Sequence, residues 1–226
     1  MTTFKICLFL SFISFVSTEF QNDTNVISTN ITLTRFLLWT PENPEIPQEI
    51  LFQDLTSLQN SSFKSDNRTT KLLVHGYTGN GQLPWIIEVK NNFLKMENCN
   101  IISVDWEPLA GPQPWYTIAS ANAKKVGHRT AEFLKFLMEN SHLSVDDIHI
   151  IGFSLGGQLV AFIGQDFNGE LPRITALDPA GFLYHTADPE DKLTPDDAKF
   201  IDVIHSAGLW MGTDEKVRKL SKFRNN

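Results

Sequence analysis

The sequence predicts an α/β fold with a mostly parallel sheet and helices on both faces. Short apolar segments alternate with longer amphipathic ones, and polar or reactive residues recur where the apolar segments end. This alternation favours parallel pairing, because each return to the same edge of a sheet requires a crossover. At 226 residues, 42% of them apolar and 20% charged, the chain suits one globular domain with a substantial core.

The predicted elements are short strands separated by helices. The strands are residues 31–39, 49–58, 71–74, 101–104, 148–151, 173–177 and 200–204, and the helices are 84–96, 116–139 and 157–165. Because parallel strands end at a common edge, we expect a functional site there. The polar residues at the predicted strand ends are His75, Asp105, Ser154, Asp178 and His205.

The segment around Ser154 carries the strongest chemical signal. Gly152-Phe-Ser-Leu-Gly156 follows a predicted strand and precedes a predicted helix. A serine at such a corner exposes its hydroxyl above the sheet edge, and the glycines avoid collisions with neighbouring elements. We interpret Ser154 as a nucleophile; an ordinary glycine turn is the alternative.

Acyl transfer through a serine also needs an acid and oxyanion donors. Asp178 ends the next strand and is the candidate acid, the alternative being a turn aspartate before Pro179. The candidate donors are the N–H groups of Leu155 and of Tyr77, which lies in the glycine-rich segment 75–81. A tight glycine turn is the alternative interpretation of that segment.

The N-terminus is typical of a secretory signal peptide. A short basic start precedes the apolar run 6–16, and cleavage is expected between Ser17 and Phe20, so we assign residues 1–18 to the signal and 19–226 to the mature domain. No later segment is apolar enough to span a membrane. Four N-glycosylation sequons agree with secretion: Asn22, Asn30, Asn60 and Asn67.

Net charge and cysteine content bear on the possible partners and disulfides of the chain. The formal charge of −7 argues against a nucleic-acid partner. Of the two cysteines, Cys7 leaves with the signal peptide and Cys99 remains. It is either a buried thiol beside a strand or the partner of a cysteine outside this sequence.

Taken together, five motifs resemble the pancreatic lipase family of secreted α/β-hydrolases. They are Lys71-Leu-Leu-Val-His-Gly-Tyr, Val104-Asp-Trp, Gly152-Phe-Ser-Leu-Gly-Gly, Leu177-Asp-Pro-Ala-Gly and Asp197-Ala-Lys-Phe-Ile-Asp-Val-Ile-His205. The resemblance covers about residues 31–217. The family includes triacylglycerol lipases, phospholipases A1 and many secreted insect lipases. The resemblance implies that Ser154 is the nucleophile, that Asp178 is the triad acid, and that the amides of Tyr77 and Leu155 form the oxyanion hole.

The third triad member departs from the family pattern. The family's base lies in a Gly-His-x-Asp-Phe segment expected near Arg218-Lys219, where this chain has a basic polar tail. The resemblance therefore predicts that the triad histidine, its loop and the last sheet strand or strands are missing, as in a truncated product. His185 and His205 are the alternatives. Loss of such a base costs on the order of 10⁶ in rate, so we expect a poor hydrolase.

The resemblance also implies a lipid-ester substrate at a membrane or micelle surface. Only twelve residues, Ser206–Val217, separate the Val-Ile-His strand from the expected base, which resembles phospholipases A1 more than triacylglycerol lipases. Leu209, Trp210 and Met211 either contact lipid or pack beneath a loop. No organic cofactor is implied. Structural calcium near Asp196 and Asp197 is disfavoured, because Thr194 stands where pancreatic enzymes have an acid.

Two function classes follow. The first is a secreted lipase or phospholipase A1 that acts through an acyl-serine. The second is a non-catalytic lipid-binding or yolk-type protein on the same fold. Yolk relatives have lost the serine, so the presence of Ser154 favours the enzyme.

Overall fold

The structure is a computed structural model that describes residues 27–112 and 114–206. Its strands are β1 Arg35–Trp39, β2 Gln48–Glu49, β3 Thr69–Val74, β4 Cys99–Asp105, β5 Ile148–Phe153, β6 Arg173–Leu177 and β7 Ile201–Ile204. Its helices are α1 Leu55–Gln59, α2 Pro84–Met96, α3 Glu107–Ala110, α4 Tyr116–Ser141 and α5 Leu155–Asp166. Short 3₁₀ turns lie at Ile31–Leu33, Val145–Asp147 and Pro189–Asp191.

The described strands form one mixed sheet in the order β2-β1-β4-β3-β5-β6-β7. Strands β3 to β7 pair in parallel, and β1 runs antiparallel to both β2 and β4. The predicted mostly parallel sheet is confirmed. Its parallel part brings the carboxyl ends of β3, β4, β5, β6 and β7 to one edge, where we expected the site.

Helices cover both faces of the sheet. Side chains of a strand point alternately to opposite faces of the sheet. Leu72 of β3 belongs to the core cluster that includes residues of α4 and α5, whereas Leu73 belongs to the cluster that includes Ile86 of α2. Helices α4 and α5 approach each other closely at Gly127, where a Cβ atom would lie 2.7 Å from the Cβ of Phe162. The two-sided core therefore holds α5, and the turn before it, firmly on the sheet.

One predicted element is wrong, and another is shortened. The predicted strand 49–58 is absent beyond Glu49, because Gln53 adopts a left-handed conformation (φ 55°) that interrupts an extended chain. Asp54 then accepts a hydrogen bond from the Ser57 N–H (2.9 Å) and caps the short helix α1. The predicted strand 31–39 begins only at Arg35, after the 3₁₀ turn.

Candidate active site

Ser154 lies at the sharp turn between β5 and α5. Its backbone angles, φ 53° and ψ −118°, are unusual for a residue with a side chain and indicate local strain. A Cβ on Gly156 would lie 2.5 Å from the carbonyl oxygens of both Val74 and His75. A Cβ on Gly152 would lie 2.3 Å from the Gly156 carbonyl oxygen. Both glycines are thus required by close backbone approach, as the motif predicted.

The glycine-rich loop after β3 touches this turn. A Cβ on Gly76 would lie 2.9 Å from the Cβ of Ser154 and 3.4 Å from the backbone nitrogen of Leu155. Leu155 opens α5, so its N–H has no acceptor within the helix. Tyr77 follows Gly76 directly. Its hydroxyl donates to the Pro112 carbonyl at 3.2 Å, and its ring packs edge-on against Tyr116. The segments that carry both candidate oxyanion donors are therefore adjacent.

Asp178 follows β6, and the main chain links it to Ser154. The Ser154 N–H donates to the Leu177 carbonyl (2.9 Å), and the Ser154 carbonyl accepts from the Ala180 N–H (3.0 Å). Asp178 has a positive φ of 42°, and its N–H donates to the Ile204 carbonyl at 2.7 Å. Its carboxylate accepts hydrogen bonds from the N–H and the hydroxyl of Ser206. The carboxylate is therefore held at the same sheet edge as the serine.

His75 belongs to the structural frame of this edge. The side chain is fully buried and stacks on the Trp106 ring, with centroids 5.4 Å apart. Its Nε2 accepts a hydrogen bond from the Trp106 backbone N–H at 3.0 Å, so the ring proton is assigned to Nδ1. Nδ1 then donates to the Gly76 carbonyl at 2.9 Å. Asp105 lies 3.5 Å from Nε2. Both ring nitrogens are thus used to hold the loop beside Ser154.

The other histidines differ in exposure and location. His128 pairs with Asp166 at 2.9 Å, and His149 contacts the Thr175 hydroxyl at 2.8 Å from within β5. His142 ends α4 in a left-handed conformation. His185 and His205 are both exposed. His205 directly follows β7, so it lies at the same edge as Ser154 and Asp178.

Asp197, in the region considered for calcium, is engaged by protein donors. Its carboxylate accepts the Thr194 N–H at 2.7 Å, and burial raises its pKa to about 6. Among residues 27–112 and 114–206, no group of three or more His, Cys, Asp or Glu side chains is arranged to hold a metal ion. The Asp197 carboxylate is thus hydrogen-bonded within the protein.

The remaining predicted residues occupy varied positions. Asn30, Asn60 and Asn67 are exposed, while Asn22 lies outside the described residues. Cys99 is a fully buried thiol that begins β4 and forms no disulfide within the described residues. Leu209, Trp210, Met211, the signal segment and the tail from Arg218 also lie outside the described residues. In the described part of the chain, no helix is long and apolar enough to cross a membrane.

Two features of the site were not anticipated from sequence. Exposed apolar side chains surround the sheet edge: Trp115, Phe153, Phe182, Leu183 and Ile204. Gln158 is a buried amide one turn after Ser154, bonded to the segment that follows Asp178. A single amide within the apolar run of α5 was the available signal, because a buried polar group requires partners.

Comparisons with known proteins agree with these motifs. The lipase family profile ("Lipase") matches residues 14–226. The chain is 39% identical to human (Homo sapiens) pancreatic triacylglycerol lipase over 198 residues, which cover 85% of this chain and 42% of that protein. Inactive pancreatic lipase-related protein 1 of Mus musculus is 35% identical, with 85% of this chain and 41% of that protein covered. The chain thus spans less than half the length of these relatives.

Solved structures include similar esterases. One is esterase PE8, with 19% identity, a TM-score of 0.42, and coverage of 52% of this chain and 62% of that one. The family assignment rests instead on the profile, which matches nearly the whole sequence, and on the identity to the pancreatic lipases. The predicted resemblance is confirmed, and the chain belongs to the lipase family of α/β-hydrolases.

Proposed function

We propose that this chain carries the nucleophile and the acid of a lipid-ester hydrolase that acts through an acyl-serine intermediate. One observation carries the proposal. Ser154 occupies a strained turn that contacts the Gly76 loop and is hydrogen-bonded through its main chain to both sides of Asp178. A strained serine beside a fixed carboxylate and backbone donors is the arrangement that acyl transfer requires.

In this mechanism the Ser154 Oγ attacks the ester carbonyl carbon while a histidine takes its proton. The resulting oxyanion accepts hydrogen bonds from the N–H groups of Leu155 and Tyr77. The protonated histidine gives its proton to the alcohol as the C–O bond breaks, and Asp178 stabilises the imidazolium. Water, activated by the same histidine, then releases the fatty acid and restores the serine.

We propose that the base is the histidine of the family's Gly-His-x-Asp-Phe segment, a pattern that the printed sequence does not contain; Gly127-His128 is followed by other residues. His185 and His205 are the alternatives within the sequence. Without the base, the remaining groups give only residual hydrolysis, since the base acts as one unit with the nucleophile.

The substrate is proposed to be a lipid ester at a membrane or micelle surface. Support comes from the exposed apolar side chains of Trp115, Phe153 and Phe182 around the sheet edge, which suit acyl chains better than polar groups. Among lipid esters we propose phospholipids, cleaved as by a phospholipase A1, because the segment Ser206–Val217 is short. Comparing hydrolysis of phosphatidylcholine vesicles and triolein emulsions tests this choice; faster triolein hydrolysis contradicts it.

We also propose that the protein is secreted, with residues 1–18 as signal peptide and 19–226 as the mature lipase domain. The exposure of Asn30, Asn60 and Asn67 supports glycosylation at these sites. N-terminal sequencing and glycosidase digestion of the secreted protein test both statements. An intact N-terminus, or a mass unchanged by the glycosidase, contradicts them.

A non-catalytic lipid-binding protein is the second candidate. It is supported by one relative that is itself named as inactive. In this case the fold and the exposed apolar side chains at the sheet edge, such as Phe153 and Phe182, would bind lipid without turnover.

A fluorophosphonate probe, which forms a covalent bond with an activated serine, distinguishes the two candidates. We expect Ser154 to label in a version extended after Val217 by a Gly-His-x-Asp-Phe segment, and much less in the 226-residue chain. Ser154→Ala abolishes labelling, and Asp178→Asn reduces it by about 10⁴-fold. Ser144→Ala, which removes an exposed serine before the opposite end of β5, is the matched control and labels normally. If neither version labels at Ser154, the enzyme proposal is overturned.

A further inference from the structure

One polar side chain interrupts the apolar surface of α5. Gln158 lies one turn after Ser154 and is only 3% exposed, while the five residues after it are all apolar and buried. A buried amide without partners is costly, so its two hydrogen-bonding ends must be satisfied inside the protein.

Both ends of the Gln158 amide bond to the main chain of the segment after Asp178. Its Nε2 donates to the Ala180 carbonyl at 2.7 Å, and its Oε1 accepts the Leu193 N–H at 2.9 Å. A carbonyl can only accept and an N–H can only donate, so the orientation of the amide is fixed by its partners. Gln158 therefore joins the helix of Ser154 to both ends of segment 180–193.

Both main-chain polar groups of Ala180 are hydrogen-bonded to α5 or to the turn before it. Its N–H donates to the Ser154 carbonyl at 3.0 Å, and its carbonyl accepts from Gln158. Between Ala180 and Asp178 stands only Pro179, whose ring restricts the backbone. A Cβ on Gly157 would lie 3.0 Å from the Cβ of Pro179, so Pro179 also lies against the first turn of α5.

Asp178 itself is in a conformation that needs external support. Its φ of 42° lies in the left-handed region, which side-chain-bearing residues adopt only when their surroundings hold them there. The Ile204 carbonyl holds its N–H on one side. On the other side, Ala180 is held by hydrogen bonds to the Ser154 carbonyl and from the Gln158 amide. The Asp178 carboxylate also accepts hydrogen bonds from Ser206.

We propose that Gln158 is a positioning residue, which fixes the Asp178 carboxylate relative to Ser154 by holding the Ala180 carbonyl. The inference rests on the proposed acyl-serine function and adds a group that acts through the acid. It predicts that loss of the Gln158 amide displaces Asp178 and slows the acylation of Ser154, without weakening the binding of the probe.

Two substitutions separate the two hydrogen bonds. Gln158→Met keeps the length of the side chain and removes both. Gln158→Glu keeps the acceptor for the Leu193 N–H but places an oxygen against the Ala180 carbonyl. We expect both variants to reduce the maximal rate of fluorophosphonate labelling by about 10- to 100-fold. The probe concentration for half-maximal rate should not change, and labelling is measured in the version that carries the Gly-His segment.

A double-mutant comparison shows whether the effect passes through Asp178. In an Asp178→Asn background, Gln158→Met should cause no further loss, because the group being positioned no longer acts. A general loss of packing would lower the rate in both backgrounds. Asn100→Leu is the matched control: it removes a buried amide that bonds the Lys64 main chain at the opposite edge of the sheet. It should lower the melting temperature but not the labelling rate.

Hydrogen exchange separates failure of this inference from failure of the proposed function. In Gln158→Met, the Ala180 and Leu193 amides should exchange faster, whether or not Ser154 reacts. Unchanged exchange, a wild-type labelling rate, or a loss that persists with Asp178→Asn overturns the positioning role. If wild-type protein does not label at all, the proposed function fails, and exchange alone decides whether Gln158 holds this segment.

Discussion

Gly76→Ala tests the contact between the glycine-rich loop and the serine turn. The added Cβ would lie 2.9 Å from the Cβ of Ser154 and 3.0 Å from the Phe153 carbonyl oxygen. Carbon atoms in contact are about 3.5–4.0 Å apart, so the loop must retreat by roughly 0.6–1.1 Å. A displacement of about 1 Å, or loss of one oxyanion donor, costs about 10²-fold in rate. We therefore expect acylation of Ser154 to slow by about 10²-fold.

The assay measures the rate of fluorophosphonate labelling alongside thermal unfolding followed by circular dichroism. Crowding at a packed site costs about 1–3 kcal/mol, so Gly76→Ala should remain folded at room temperature. The control is Gly127→Ala, whose Cβ would lie 2.7 Å from the Cβ of Phe162, two turns along α5 from Ser154. This control should lose stability but keep its labelling rate. A wild-type rate in Gly76→Ala, or an equal loss in the control, refutes the role of the loop.

Three further predictions concern the stability of the fold. Burial, followed by two neighbouring cations, lowers the pKa of His149 to about 4 from 6.5. The unfolded chain therefore binds the proton first, and urea titrations should show the free energy of unfolding falling by up to about 3 kcal/mol between pH 6.5 and 4, less so in His149→Asn. Burial raises the pKa of Cys99 to about 11, so a thiol reagent at pH 8 should react only after unfolding; rapid native reaction contradicts this. Glu42→Gln leaves the Arg68 side chain, which is only 8% exposed, without its paired carboxylate, and should lower the free energy of unfolding by about 1–3 kcal/mol. The control Glu49→Gln removes the partner of the exposed Arg35 and should cost less than about 1 kcal/mol. Equal losses in urea melts would exclude this difference.

Elements with local signals were predictable from sequence. The bounds of α2, 84–96, and of β6, 173–177, agree with the structure. Pro84 suits a first helical turn, and β6 alternates polar residues with the apolar Ile174 and Ala176, as a short strand does. The prediction for 49–58 failed because one residue, Gln53, adopts a left-handed conformation that no periodicity reveals. The antiparallel placement of β1 beside β4 depends on pairing between distant segments, and so it too has no local signal.

The same distinction applies to the site. Ser154 and its glycines belong to one strand–turn–helix segment, so their arrangement is encoded locally and the structure has it as predicted. The position of Gln158 became interpretable only when segment 180–193 was seen to fold back onto α5. From sequence alone, a glutamine in a helix is far more often a surface residue than a buried link between two segments.

The hydrogen bonds around Ser154 make its placement independent of the Asp178 side chain. The Ser154 N–H and carbonyl bond to Leu177 and Ala180, which flank Asp178, and these bonds use only main-chain atoms. Asp178→Asn therefore removes the Asp178 charge but leaves the serine in place, whereas Gln158→Met is expected to keep that charge and change its position. Both variants affect the same segment through different physical causes. If positioning is the role of Gln158, the rate losses of the two variants combine to no more than that of Asp178→Asn alone.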